Sequence, residues 1–89
     1  MEILRERLLA ERRRYSSSRK QNGELVARSV ISDLMGLPQR ALAQYEQGER
    51  APTAASLAKI SVFYNVSADY LLGLTNERRE VSASPTKNL

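Results

Sequence analysis

Ile31-Ser32-Asp33-Leu34-Met35-Gly36-Leu37-Pro38-Gln39-Arg40-Ala41-Leu42-Ala43-Gln44-Tyr45-Glu46-Gln47-Gly48 holds two helix stops with one helix-length run between them. Gly36 follows Met35 as a helix C-terminal stop, and Leu37 is an apolar pin just after it. Pro38 can open the next helix, because the first helical position needs no amide donor. The run 38–47 then turns Leu42 and Tyr45 inward with Ala41 beside them, while Gln39, Arg40, Ala43, Gln44 and Gln47 share the opposite face. Gly48 ends it. The stretch is a helix, a tight turn and a second helix whose outer face is polar but barely charged.

Outward from this centre the chain reads as helices alone. Upstream, between residues 24 and 35, Val26, Val30 and Leu34 repeat every four residues and are joined by Leu25, Ile31 and Met35, a helical pattern. Its start is open: Asn22 caps a long helix, or a break near Ala27 and Arg28 leaves a short one. Ser16-Ser17-Ser18 and Arg19-Lys20-Gln21-Asn22-Gly23 read as a loop. Residues 2–14 place Ile3, Leu4, Leu8 and Leu9 on one side of a first helix, ending in Arg12, Arg13 and Arg14, which suit a helix C-terminus. Downstream, Pro52 blocks continuation and Thr53 caps a fourth helix with Leu57, Ile60, Ser61 and Tyr64 at three- and four-residue steps. Asn65 closes it. Ser67 caps a short fifth helix over 68–72, whose Leu71 and Leu72 return to the core before Gly73. Past Asn76, Val81 is the one sizeable apolar side chain before Leu89, and 82–86 reads as disordered. The expected organisation is a domain at 1–76 and a flexible tail at 77–89, with no internal repeat and no strand pattern.

Composition narrows the function. Eighty-nine residues allow one domain, and 42% hydrophobic with 27% charged residues is a globular balance. Fourteen Lys and Arg against ten Asp and Glu leave a net charge of +4, which favours a polyanionic partner, nucleic acid or an anionic membrane. There is no Cys and no His, so thiol nucleophiles, thiolate metal sites and the commonest general base are missing. The expectation is no catalytic residue, no metal and no cofactor. No apolar run approaches a membrane span and no signal segment follows the charged start, which points to the cytoplasm. Membrane attachment by the basic first helix is weak, since its apolar face has four strong anchors and no aromatic. The positive charge is concentrated early: residues 1–28 hold eight basic and four acidic side chains, and residues 12–20 five basic and none acidic. A solvated charge run is the plain alternative there.

Three fragments in order, Ile31-Ser32-Asp33-Leu34-Met35-Gly36-Leu37, Leu42-Ala43-Gln44-Tyr45-Glu46-Gln47-Gly48-Glu49-Arg50-Ala51-Pro52 and Val66-Ser67-Ala68-Asp69-Tyr70-Leu71-Leu72-Gly73-Leu74-Thr75, carry a resemblance. From Val30 to Thr75 the sequence resembles the DNA-binding domain of the Cro/CI-type phage repressors, the XRE-like helix-turn-helix family. The resemblance implies an all-α, compact five-helix lambda-repressor-like bundle, here with an enlarged connection between helices 1 and 2. It further implies a bacterial or phage-encoded, nucleoid-associated repressor, usually a homodimer, that places its third helix in the major groove of an inverted-repeat operator.

Residue roles follow from the same resemblance. Gln39, Arg40 and Gln44 occupy the family's base-contacting positions, and glutamine and arginine can pair bidentately with adenine and guanine edges. Ala43, also outward, can meet a thymine methyl; a merely solubilising Gln-rich surface is the alternative. Gln47 and Arg50 follow the helix where the family often clamps phosphate, and Arg28 matches its position at the start of helix 2. Arg50 can instead form a surface ion pair with Glu49 or Glu46. The family's glutamate at Glu46 pairs inward with a helix 1 arginine, here Arg5, Arg12 or Arg13.

Two departures stand out. The connection from Tyr15 to Ala27 is about ten residues longer than the pattern needs, and its Arg19 and Lys20 are expected to touch phosphates or enter a minor groove. Pro38 stands where a Ser or Thr cap is common. Dimer contacts are expected from Val62, Phe63, Tyr70 and Leu74, which can equally be core or scattered surface. The competing reading is an antitoxin-type module that binds a protein toxin, or an antirepressor target, with the tail ordering on the partner.

Overall fold

A computed structural model describes residues 2–18 and 27–81 of the chain. Five helices follow one another: α1 (Glu2–Ser18), α2 (Arg28–Met35), α3 (Ala41–Gln47), α4 (Ala54–Tyr64) and α5 (Ala68–Leu72). The described residues contain no strand, and the architecture is the expected lambda-repressor-like bundle. The long α1 packs against α3, α4 and α5, while α2 packs against α3 and α4. One core joins them: Leu4 and Leu8 of α1, Ile31 and Met35 of α2, Leu37, then Ala41, Leu42 and Tyr45 of α3, Ile60 and Tyr64 of α4, Val66, and Leu71 of α5. Leu8, Ile31, Leu42, Ile60, Val66 and Leu71 are sealed from solvent. Each such side chain contributes about 1.5–3 kcal/mol by leaving water.

The expected caps close the later helices. Thr53 accepts a hydrogen bond from the Ser56 amide at the start of α4, and Ser67 accepts one from Tyr70 at the start of α5. Four ends share one device, with Gly36, Gly48, Asn65 and Gly73 all left-handed. At Gly36 the Gly36 amide donates to the Asp33 carbonyl and the Leu37 amide to the Ser32 carbonyl, both at 3.0 Å. This satisfies the last carbonyls of α2 and aims Leu37 into the core.

Three boundaries differ from the sequence reading. α1 does not stop at Arg14 but continues through Ser16, Ser17 and Ser18. Packing overrides the poor helix propensity of serine here: Tyr15 stacks against Phe63 at 4.9 Å, and Ser16 is buried. Arg12, Arg13 and Arg14 are therefore interior to the helix and do not complement its end. α2 is the short alternative, beginning at Arg28 after an extended Ala27. Its buried side is Ile31, Ser32 and Met35, whereas Val30 and Leu34 of the four-residue repeat face solvent. Finally, α3 begins at Ala41 and not at Pro38. The Ala41 amide donates to the Pro38 carbonyl at 3.0 Å, a three-residue turn, so Gln39 and Arg40 sit in the entrance to the helix and not within it.

Contacts continue past Asn76. Both Arg78 Nε and a terminal nitrogen of Arg78 donate to the Glu11 carboxylate at 2.7 Å, and the Ser67 amide donates to the Arg79 carbonyl at 2.8 Å. The bidentate bond to Glu11 raises the Arg78 pKa above its ordinary value, against the lowering effect of burial. Arg7 adds a second tie, donating to the carbonyls of Tyr70 and Thr75 and lying 4.1 Å over the Tyr70 ring. The expected disorder at 82–86, and the expected roles of Asn22, Leu25 and Val26, lie outside the described residues.

Gly36 and Gly73 should respond differently to alanine. A Cβ on Gly73 would meet Ile3 Cγ2 at 2.8 Å, whereas one on Gly36 meets nothing nearer than Lys59 Nζ at 3.9 Å. Gly36→Ala incurs only the left-handed backbone cost, about 1–2 kcal/mol, while Gly73→Ala adds overpacking and loses about 2–4 kcal/mol. Urea titration of both variants measures the gap.

Candidate nucleic-acid interface

α3 is held from three sides, and that grip sets which of its residues face out. Its inner face, Ala41, Leu42 and Tyr45, is buried. Arg40, the residue before the helix, makes no side-chain cap. The missing acceptor comes from another helix: Ser32 Oγ, fully buried in α2, accepts from the Leu42 amide at 3.2 Å. One orphan donor at the start of α3 is thereby satisfied, and the hydroxyl ties α2 to α3. The sequence showed Ser32 only as a motif residue. Its signal is a small polar side chain inside the buried set Ile31, Ser32 and Met35.

The end of α3 is fixed by charge. The Glu46 carboxylate, 4% exposed, receives Arg12 Nε at 2.8 Å and Arg28 at 3.1 Å. Arg5 Nε donates to the Glu46 backbone carbonyl at 3.1 Å. Of the three candidate arginines, Arg12 is thus the carboxylate's partner, Arg5 holds the backbone, and Arg13 is exposed. Two guanidiniums against one carboxylate leave the junction of α1, α2 and α3 with a net positive charge, so an acidic residue on this helix does not oppose a phosphate. Tyr64 lies in the same field. Burial pushes its hydroxyl above the ordinary value and the Glu46 charge adds to this, while Arg12 acts the other way.

What remains outward is a single row. Arg40, Ala43, Gln44 and Gln47 recur at three- and four-residue steps, with Arg40 and Gln47 exposed and Ala43 and Gln44 half-buried. Gln39 stands exposed beside Arg40 in the entrance turn, and Arg50 is exposed just past the helix. Neither Arg40 nor Arg50 forms an ion pair among the described residues, so the expected alternative partners Glu46 and Glu49 do not engage Arg50. Arg28 is split in role: one nitrogen is on Glu46, and the side chain is 36% exposed at the start of α2. Arg19 and Lys20 lie outside the described residues. Of the expected dimer residues, Val62 and Leu74 are exposed, while Phe63 packs on Tyr15 and Tyr70 lies under Arg7.

Elsewhere the described residues hold no group of His, Cys, Asp or Glu able to bind a metal. No helix among them is long and apolar enough to cross a membrane. Two short helices joined at a left-handed glycine, with Arg40 in the entrance turn and Ala43, Gln44 and Gln47 on the outer side of the second, have the form of a helix-turn-helix. The helix-turn-helix family model matches residues 28–71, from the first residue of α2 to Leu71 in α5, and the chain carries an XRE-family helix-turn-helix domain over that span. Domains of this family bind DNA and are typically non-enzymatic transcriptional regulators. Comparison with curated proteins and with solved structures gave no significant match.

Ser32→Ala leaves the buried Leu42 amide without its acceptor and should lower unfolding free energy by about 1–2 kcal/mol. Chemical denaturation that shows no loss would mean that α3 needs no cap from α2. The Tyr64 shift gives a pH signature. Because the folded state keeps the proton that the unfolded chain releases near 10.0, this contribution is whole below that pH and is lost as pH rises beyond it, by up to about 1.4 kcal/mol per unit. Stability curves of the wild type and Tyr64→Phe should diverge only on the alkaline side, the wild type falling more steeply.

Proposed function

We propose that this protein is a sequence-specific regulator of transcription, acting as a repressor, that reads the major groove of double-stranded DNA with α3 and the turn before it. The observation that carries the reading is the outward row of Arg40, at the entrance, and Ala43, Gln44 and Gln47 on a helix whose inner face, start and end are all fixed. A reading helix needs this, since base recognition depends on side chains held at a defined height and angle over the groove. Gln39, Arg40 and Gln44 are assigned to base edges and Ala43 to a thymine methyl. Arg28, Gln47 and Arg50, with Arg19 and Lys20, are assigned to phosphates, which set the register before any base is read. Arg28 suits this role because its second contact, Glu46, aims it without neutralising the junction. A homodimer would read two half-sites of an inverted repeat about one helical turn apart. Occupying such a site next to a promoter excludes polymerase, which needs no further domain. A DNA partner of this kind places the protein in the cytoplasm with the nucleoid.

Selection from a random duplex library tests this directly, run for the wild type, Gln39→Ala and Arg40→Ala at two salt concentrations. The wild type should enrich an inverted repeat, and each variant should lose preference at defined bases by about 1–3 kcal/mol, or 5- to 150-fold. Equal, sequence-blind binding by all three with a steep salt dependence would overturn base reading and leave only phosphate attraction.

A further inference from the structure

α1 is gripped along two lines that run down different sides of it. Toward α3, Arg5 Nε donates to the Glu46 carbonyl at 3.1 Å and Arg12 Nε to the Glu46 carboxylate at 2.8 Å. Residues 5 and 12 are two helical turns apart and so lie on one side of α1. Toward the segment after α5, Arg7 donates to the Tyr70 and Thr75 carbonyls at 2.6 and 2.8 Å and to Asn76 Oδ1 at 2.9 Å. One turn further along, Glu11 receives two nitrogens of Arg78, both at 2.7 Å. Arg7 and Glu11 stand on adjoining turns of another side of the helix.

The apolar contacts of α1, Leu4 and Leu8, exclude water but carry little direction, so they leave the helix free to slide or roll by a fraction of a turn. The ionic ties remove that freedom. A two-pronged guanidinium–carboxylate bond fixes orientation as well as distance, and the Glu11 side chain is only 2% exposed. Arg14 is the other cation on Glu11, but at 3.7 Å and 63% exposed it holds the carboxylate weakly. Because all four gripping residues sit on one continuous helix, a shift at the Arg7–Glu11 line is delivered to the Arg5–Arg12 line. Tyr64 of α4 faces both ends: burial raises its hydroxyl pKa, Glu46 adds to this, and Glu11 adds further. Both partners of the Glu11–Arg78 pair lie outside residues 28–71, the span of the helix-turn-helix match.

We propose that Glu11 and Arg78 are positioning residues for α3: the pair fixes α1, and α1 carries that placement to α3 through Arg5 and Arg12. The inference rests on the regulator reading for its consequence, which is that base discrimination depends on two residues that are themselves assigned to neither bases nor phosphates.

Two variants of the full chain test this against the wild type, on the duplex the wild type selects and on a random duplex of equal length. Arg78→Ala breaks the pair. Glu11→Gln combined with Arg78→Ala removes one charge of each sign, so the net charge stays at +4 and phosphate attraction is matched. The ratio of the two affinities should fall by about threefold or more in both variants. Arginine Nε–H spectra of the isotope-labelled free protein give a readout that lost stability alone does not move. The Arg12 signal should shift in both variants, and that of the exposed Arg13 should stay. Thermal melts check the fold, and the double variant, which buries no unpaired charge, carries the test where Arg78→Ala unfolds. A folded double variant with the wild-type affinity ratio, or with an unmoved Arg12 signal, overturns the proposal. A wild type that selects no sequence overturns the regulator reading instead, and the Arg12 signal then decides by itself whether the pair places α3.

Discussion

The Glu46 carboxylate is the point on which the bundle turns. It sits near the end of α3 and is bonded to Arg12 of α1 and Arg28 of α2, and its backbone carbonyl is held by Arg5. A single buried negative charge therefore fixes one helix relative to two others. Apolar packing alone would leave a seven-residue helix such as α3 free to rotate about its axis, since hydrophobic contacts carry little directional information. The ion pairs, with the Ser32 hydroxyl at the other end of the helix, remove that freedom. An exposed pair would contribute little, but here the acid is buried and breaking one arm leaves charge without a partner.

The same arrangement resolves an apparent conflict between structure and function. A helix of a DNA-binding domain is an unfavourable place for an acid, yet Glu46 lies on α3. Because the carboxylate faces inward and is overcompensated by two arginines, the outside of the junction stays positive. Arg28 is then anchored at one nitrogen with part of its side chain in solvent. Fold stability and the electrostatics of the outer face are set by the same three side chains.

Much of this was legible in the sequence, and the reasons are local. Gly36, Gly48 and Gly73, with Thr53 and Ser67 as caps, mark backbone conformations that few other residues provide as cheaply, so most helix ends could be placed from composition and spacing. The buried faces of α3 and α4 follow from their three- and four-residue steps. The misreadings come where tertiary contact decides. Nothing in Ser16-Ser17-Ser18 announces a helix until Tyr15 finds Phe63, and the regular spacing of Val30 and Leu34 marks the outer side of α2 because the inner side mixes Ile31 and Met35 with a serine. The outward row of α3 was readable as a polar face, but the choice of Arg12 as the Glu46 partner depends on the register of α1. The Glu11–Arg78 pair, 67 positions apart, had no local signal at all.

That pair also orders events during synthesis. Residues 28–71 include both helices of the turn and the segments that cover them, yet α1 draws its neighbours from α3, α4, α5 and finally Arg78. α1 precedes its partners along the chain, and its buried Glu11 carboxylate keeps only Arg14, at 3.7 Å, until Arg78 has emerged. Contacts of such long sequence separation slow folding relative to a bundle built from hairpins. A chain released before Arg78 would carry α3 intact on a bundle in which the buried Glu11 of α1 keeps only the longer, exposed contact from Arg14.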